Sequence, residues 1–275
     1  MTETIRVGII GCGTIGGYVF DEISSGKVKN TQVVMVGGRS DKSKGRKKVI
    51  ESGIPWTTSV RDILKTGVDV VVEAASHEAL ESYGEEILEN GIDLIPSSLG
   101  ALVDSMLLDR FTNAAEAGGS RLHLPSGGIG GLDALQAAIQ TDVESVTMTS
   151  RKPPVAWKGI PYVSELGVDL ENVGKPIVLY EGPARDCVKK FPQNINIAAA
   201  LSLAGIGFEQ TQIRILADPE VTRNTHEIQC RGAAGQFTII MENIPVPENP
   251  KTTYMACLSV LATLKRIKAL YRVGT

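Results

Sequence analysis

Three short stretches of this chain carry residue types whose spacing could do chemistry. The first is Gly11-Cys12-Gly13-Thr14-Ile15-Gly16, a GxGxxG run. Gly11 permits a tight turn, Gly13 lets backbone approach a pyrophosphate, and Gly16 lets the next helix sit close to the preceding strand. Thr14 and Ile15 open that helix, whose N-terminus offers free N–H groups and partial positive charge to phosphates. Such glycine triplets also occur in ordinary loops, but here a β-rich run precedes the motif and an amphipathic run follows it. The second stretch, VVMVGGRS, ends the next β-rich run. NAD-selective sites usually place Asp or Glu there for the ribose 2′-hydroxyl. This chain has Gly37, Gly38, Arg39 and Ser40 instead. Arg39 can pair a 2′-phosphate through two charge-assisted hydrogen bonds, so NADP is expected to be accepted; the plain alternative is an exposed loop arginine. The third stretch is Asn224-Thr225-His226. On a strand, Asn224, His226, Ile228 and Cys230 share one face, and Arg223, Thr225, Glu227, Gln229 and Arg231 share the other. His226 therefore lies on the less polar side, with Asn224 placed to orient its ring or to bind substrate. From pattern alone, a satisfied core histidine is the simpler reading.

Two other histidines are weighed the same way. His77 follows Glu73-Ala74-Ala75-Ser76 at the end of a β-rich run, where ligands of α/β sheets gather, though an exposed helix start explains it equally well. His123, in RLHLP, reads as structural.

The elements that must position these residues follow from periodicity. Residues 5–11, 32–36, 68–72 and 92–95 are short, apolar and β-branched, as buried strands are. Ile15, Val19 and Ile23 form a helical stripe, and Glu78–Asn90 is a helix closed by Gly91. Alternating strand and helix implies parallel strands with right-handed crossovers, a Rossmann-type doubly wound α/β domain. After Leu124 the texture changes. PSGGIGGLDAL is a glycine-rich turn into a helix, and TQIRILAD alternates Gln212 and Arg214 with Ile213 and Ile215, as a strand with one wet face does. Thr222–Arg231 and Phe237–Asn243, joined through Gly232–Gly235, read as a hairpin with a four-residue connection. The expected division is a dinucleotide domain of residues 1–123 and 248–275, and a catalytic domain of residues 124–247. The second is an α+β domain with a mostly antiparallel sheet. The final segment, Thr252–Leu270, is expected to be a helix packed back on the first domain.

Composition narrows the class. With net charge −3 and no long run of one sign, the chain offers neither a nucleic-acid groove nor a membrane surface. Arg39–Lys48 is a local basic cluster, read as a solvated loop and helix start. The N-terminus lacks the basic start and long apolar run of a signal peptide. Cys12, Cys187, Cys230 and Cys257 show no CxxC spacing and no Cys/His cluster, so they read as reduced thiols in a cytoplasmic protein without a metal site.

Taken together, the N-terminal GxGxxG, PSGGIGGLDAL, FPQNINIAAALSLAG, ADPEVTRNTHEIQCRGAAGQF and NPKTTYMA resemble the L-aspartate dehydrogenase family, over nearly the whole chain. RNTHEI with NPKT downstream is the most specific part. The resemblance implies NAD(P)-dependent oxidation of L-aspartate to iminoaspartate, then oxaloacetate and ammonia or pyridine nucleotide synthesis, by a homodimer. It puts the catalytic histidine on His226, which shifts that residue from core to base. It puts cofactor contacts on Asn196 and Gly128. Many members have alanine at the second position; a backbone contact survives the change to glycine. Histidine titrates in the range suited to taking the amine proton or activating water. The substrate's two carboxylates call for cations and donors. Candidates are Arg151, Lys152, Lys158, and Lys251 with Thr252, each also readable as a surface group; Ser97 and Ser98 could reach nicotinamide or substrate. The competing readings are a dehydrogenase or imine reductase for another small amino or keto acid, and a non-catalytic NADP-binding sensor.

Overall fold

A computed structural model describes residues 4–192 and 196–274. The chain divides into two compact units, Met1–Pro125 with Cys257–Leu270, and Ser126–Ala256 with Tyr271–Thr275.

The first unit alternates strands and helices in chain order: β1 (Ile5–Ile10), α1 (Thr14–Ser24), β2 (Thr31–Gly37), α2 (Arg46–Glu51), β3 (Trp56–Thr57), α3 (Val60–Leu64), β4 (Val70–Glu73), α4 (His77–Glu89), β5 (Asp93–Pro96) and α5 (Ser105–Gly118). Its sheet has the order β3-β2-β1-β4-β5, and every pairing in it is parallel. Strand order reverses between β1 and β4, and open α/β sheets bind ligands at such a switch point, beyond the strands' carboxyl ends. The central strands are apolar because helices cover both faces: all four residues of β4 are buried. Val19 and Ile23 of α1 pack into this core, and each such fully buried aliphatic side chain contributes about 1.5–3 kcal/mol. Helix α4 ends where Gly91 adopts a φ of 73°, the left-handed residue that closes a helix.

The second unit runs α6 (Leu132–Ala138), β6 (Val143–Lys152), α7 (Pro161–Glu165), β7 (Ile177–Pro183), α8 (Ala184–Lys190), α9 (Asn196–Ala204), α10 (Gly207–Gln210), β8 (Gln212–Ala217), β9 (Asn224–Gly232), β10 (Gly235–Asn243), β11 (Pro245–Val246) and β12 (Asn249–Thr253). Its larger sheet has the order β10-β9-β6-β8-β7. Three of the four pairings are antiparallel and β6–β8 is parallel. Helix α8 packs on β7 and β8, and α9 on α6 and α8. Strand β6 alternates from Val146 onward, with Val146, Met148, Ser150 and Lys152 buried and the residues between them half exposed. Helix α11 (Tyr254–Ile267) then returns the chain to the first unit, where Val260, Leu261 and Leu264 join its core.

Two details depart from expectation. The hairpin connection is only Ala233-Ala234, because Gly232 and Gly235 pair across the strands and Gly235, at φ 119°, takes the turn's strain. Thr252 and Thr253 do not begin the last helix, which starts at Tyr254; with residues 249–251 they are strand. They form β12 against β11 and keep the second unit going to Ala256, so its boundary lies beyond residue 247.

Candidate active site

In the first unit the glycine fingerprint is built as its spacing requires. Gly11 follows β1 with φ 90°, and a Cβ there would lie 2.6 Å from the Ala74 carbonyl oxygen. A Cβ on Gly16 would land on the Gly11 carbonyl oxygen, so helix and turn touch backbone to backbone. Gly13 is the opposite case, with open space where a side chain would stand. It is the N-cap of α1 and supplies no side-chain cap, so Thr14 and Ile15 begin a helix whose end is open to a ligand's oxygens. The crowded and open positions together fit a pyrophosphate cradle. Arg39 and Ser40 are exposed just past β2, and no acid stands at Gly37 or Gly38. His77 begins α4 after β4. Ser97 and Ser98 follow β5, and the Ser97 hydroxyl is buried without a hydrogen-bond partner. His123 lies elsewhere, its Nε2 2.8 Å from an Asp93 carboxylate oxygen, which gives it a structural partner.

In the second unit a polar layer closes one end of the larger sheet. The period of two puts Asn224, His226, Ile228 and Cys230 on the buried face of β9. Cross-strand register adds the rest. Ser150 lies opposite His226 on β6, and Asn243 lies opposite Asn224 on β10. His226 is 3% exposed, and its Nδ1 is 3.0 Å from the Ser150 hydroxyl. With Nδ1 so engaged, Nε2 is the nitrogen left for chemistry. That nitrogen lies 3.8 Å from where a Cβ on Gly128 would be, and the amide of Asn243 donates to the Gly128 carbonyl at 2.6 Å. Thr253 closes the same corner, its hydroxyl 3.4 Å from that Gly128 position. The neighbouring Gly127, at φ 66°, packs against Ile197 in the first turn of α9, the helix that Asn196 opens. Asn224 is 1% exposed and its side-chain carbonyl oxygen has no partner, while its amide donates to the Pro250 carbonyl at 3.4 Å.

The charges are the unusual part. Lys152 is 2% exposed, with its ammonium 4.8 Å from the centre of the Trp157 ring. Burial, and then the charge of Lys251, lower its pKa to about 8. Burial, and then the Lys152 charge, push His226 down to about 3, so in the empty site the ring is neutral and a weak base. Two groups that each resist protonation share a dry corner. An anion there would relieve both.

Of the other cation candidates, only Lys251 stands close enough for its charge to act on Lys152. Lys251 is exposed and Thr252 half buried on β12, where Thr252 accepts from the Asn249 amide at 3.2 Å. Arg151 projects from the opposite face of β6 and reaches Asp218 at 3.5 Å. Lys158 pairs with Glu171. Ser150, Asn243 and Thr253 were missed from sequence. The alternation of ESVTMTSRK puts Ser150 and Lys152 on one face and was the available signal for the first; the other two have no local signature.

Comparison with known proteins points one way. A family model described as "Aspartate dehydrogenase, C-terminal" matches residues 133–267, and one described as "Homoserine dehydrogenase, NAD binding domain" matches residues 11–125. The chain is 40% identical to an L-aspartate dehydrogenase of Methanosarcina barkeri, across 98% of this chain and 100% of the relative. It is 42% identical to L-aspartate dehydrogenase 2 of Bordetella pertussis, across 75% and 76%. A crystal structure of aspartate dehydrogenase from Thermotoga maritima superposes with a TM-score of 0.77 at 28% identity, covering 99% of this chain and all of that one.

Proposed function

Since the chain belongs to the L-aspartate dehydrogenase family, we propose that it oxidises L-aspartate to iminoaspartate with His226 as the base. It is an NAD(P)-dependent amino-acid dehydrogenase. The fingerprint glycines, with Arg39 and Ser40, hold the dinucleotide, and Gly128 and Asn196 are the further cofactor residues that the family resemblance assigns. A dinucleotide held there would supply the acceptor for the hydride leaving Cα. Nε2 of His226 takes the proton from the substrate amine, freeing the lone pair that must stabilise charge at Cα. The Asn224 side-chain oxygen, buried and unpartnered, accepts from that amine. Lys152 holds a carboxylate, with Lys251 and Thr252 as outer contacts. Water then attacks the iminium and gives oxaloacetate and ammonia, or the imine passes to pyridine nucleotide synthesis. The observation that carries this reading is the buried His226, its Nδ1 engaged by Ser150, on the same polar layer as buried Lys152.

The test is reduced-nicotinamide absorbance with L-aspartate and NAD or NADP, and the reverse run on oxaloacetate with ammonia. Turnover is expected with aspartate and not with alanine, glutamate or homoserine. A higher kcat/KM for any of those three would overturn the substrate.

Arg39 sets the coenzyme preference. Replacing it by alanine should cut kcat/KM for NADP about tenfold, since solvent weakens the charge-assisted bonds of an exposed side chain, and leave NAD nearly unchanged. A NAD preference that survives the substitution unaltered would remove Arg39 from the site. The enzyme acts as a homodimer in the cytoplasm. The edge strand β10 carries Ile240 at 59% exposure, apolar surface suited to a second copy. All four cysteines are free, as in a reducing compartment.

A further inference from the structure

We propose that Glu73 is a positioning residue for the dinucleotide site, a buried carboxylate that holds two βα loops beside the glycine turn in their binding shape. Glu73 ends β4 and is 1% exposed. A carboxylate there is costly to bury, and only hydrogen bonds offset that cost. It receives four. One oxygen, Oε1, accepts from the amides of Ala75 at 2.7 Å and Ser76 at 3.0 Å and from the Ser98 hydroxyl at 3.1 Å. Oε2 accepts from the Ser98 amide at 3.2 Å. One side chain therefore ties the loop after β4 to the loop after β5.

Those loops flank the fingerprint. Glu73 lies opposite Ile10 on one side and Pro96 on the other. The Ala74 amide donates to the Ile10 carbonyl at 2.8 Å, and the Ser97 amide to the Glu73 carbonyl at 2.8 Å. The Ala74 carbonyl is also the wall that Gly11 turns against. A shift of residues 74–76 thus moves the surface against which the pyrophosphate turn is built. The Ser76 hydroxyl in turn caps α4 by accepting from the Ala79 amide at 3.2 Å. Only a group with two acceptor oxygens serves three amides and a hydroxyl at once. Protonation would turn one oxygen into a donor facing donors. Burial raises the Glu73 carboxyl above its ordinary range, and the four donors oppose that. The sign follows. The loops are held above the raised pKa, and coenzyme affinity falls as pH drops through it.

The experiment uses coenzyme binding without aspartate, by nicotinamide fluorescence or calorimetry on Glu73→Gln and Glu73→Asp, with thermal unfolding alongside. It is blind to whether aspartate is the substrate, so failure of that reading and of this one are separable. Gln is isosteric but sets an amide against the loop donors. We expect its Kd for the coenzyme to rise about tenfold or more, with KM for aspartate little changed. Asp, which keeps the charge, should recover part of the affinity. The wild-type Kd should weaken toward low pH, and the Gln variant should lose that dependence. A folded Gln variant with unchanged or tighter coenzyme binding overturns the proposal, since a purely structural acid would move only the unfolding temperature. If the Gln variant does not fold, the Asp variant and the wild-type pH titration decide: a Kd flat with pH and equal in the two proteins overturns it.

Discussion

His226→Ala should fold, bind NAD or NADP as the wild type does, and turn over L-aspartate a hundred to ten thousand times more slowly, about the span that a positioned general base contributes. The loss belongs in kcat. The ring's Nε2 acts on the amine proton, whereas carboxylate binding rests on Lys152. Single-turnover absorbance with saturating aspartate checks it, and His226→Asn guards against a packing artefact, because it keeps a polar group facing Ser150. Near-normal turnover in either variant would return His226 to the role of a core histidine. The pH behaviour is a second signature. With the ring pushed down to about 3, its free-enzyme titration should not appear near the ordinary histidine value. The stability effect has the same origin. Between about pH 3 and 6.5 the unfolded chain takes up a proton that the native ring refuses, so stability falls as pH falls through that window. The Ala variant lacks that term, and its urea midpoint should lose less than the wild type's between about pH 7 and 5.

Lys152→Met should lower kcat/KM for L-aspartate about a hundredfold, the loss of a charge-assisted bond to a carboxylate, while leaving the unfolding temperature equal or higher. Methionine keeps most of the volume against Trp157 and removes a cation that is 2% exposed. Replacing a buried charge with an apolar group of similar size is commonly neutral or stabilising. Activity and stability therefore move apart, which a general packing defect would not produce. The substitution also removes the second cause of the His226 shift, so the ring's pKa should rise from about 3 toward its ordinary value. Steady-state kinetics, thermal unfolding and a histidine NMR titration read the three effects; an unchanged kcat/KM would take Lys152 out of the substrate site.

The first sheet and the face of His226 were legible in the sequence because both follow from local rules. Strand, helix and strand in succession leave few topologies, and a period of two assigns every side chain of β9 to a face. What surrounds His226 was less legible. Ser150 lies 76 residues away and joins it only through register. Gly128 and Asn243 are 115 residues apart and joined by one hydrogen bond. No local pattern encodes such partners. Lys152 stood among several cations as a candidate, beside Lys158 and Arg151. Its alternation with Ser150, Met148 and Val146 held the signal of its burial, since Lys152 alone among the three continues that apolar and hydroxyl face. The parallel β6–β8 pairing was also hidden, because periodicity tells how a strand is faced and not which strand lies beside it.

Helix α11 has a consequence for how the protein is made. Val260, Leu261 and Leu264 complete a core whose other members all precede residue 96. A ribosome therefore finishes residues 126–256 of the second unit before it supplies the last piece of the first. Until then, the early half of the nascent polypeptide exposes an apolar seam along α1 and its strands. Residues 126–256 can close in the meantime as an insertion with their own sheet. The coenzyme domain is begun first and sealed last, so a chain cut short before residue 257 would keep His226 and its neighbours yet lack the helix that closes the nucleotide half.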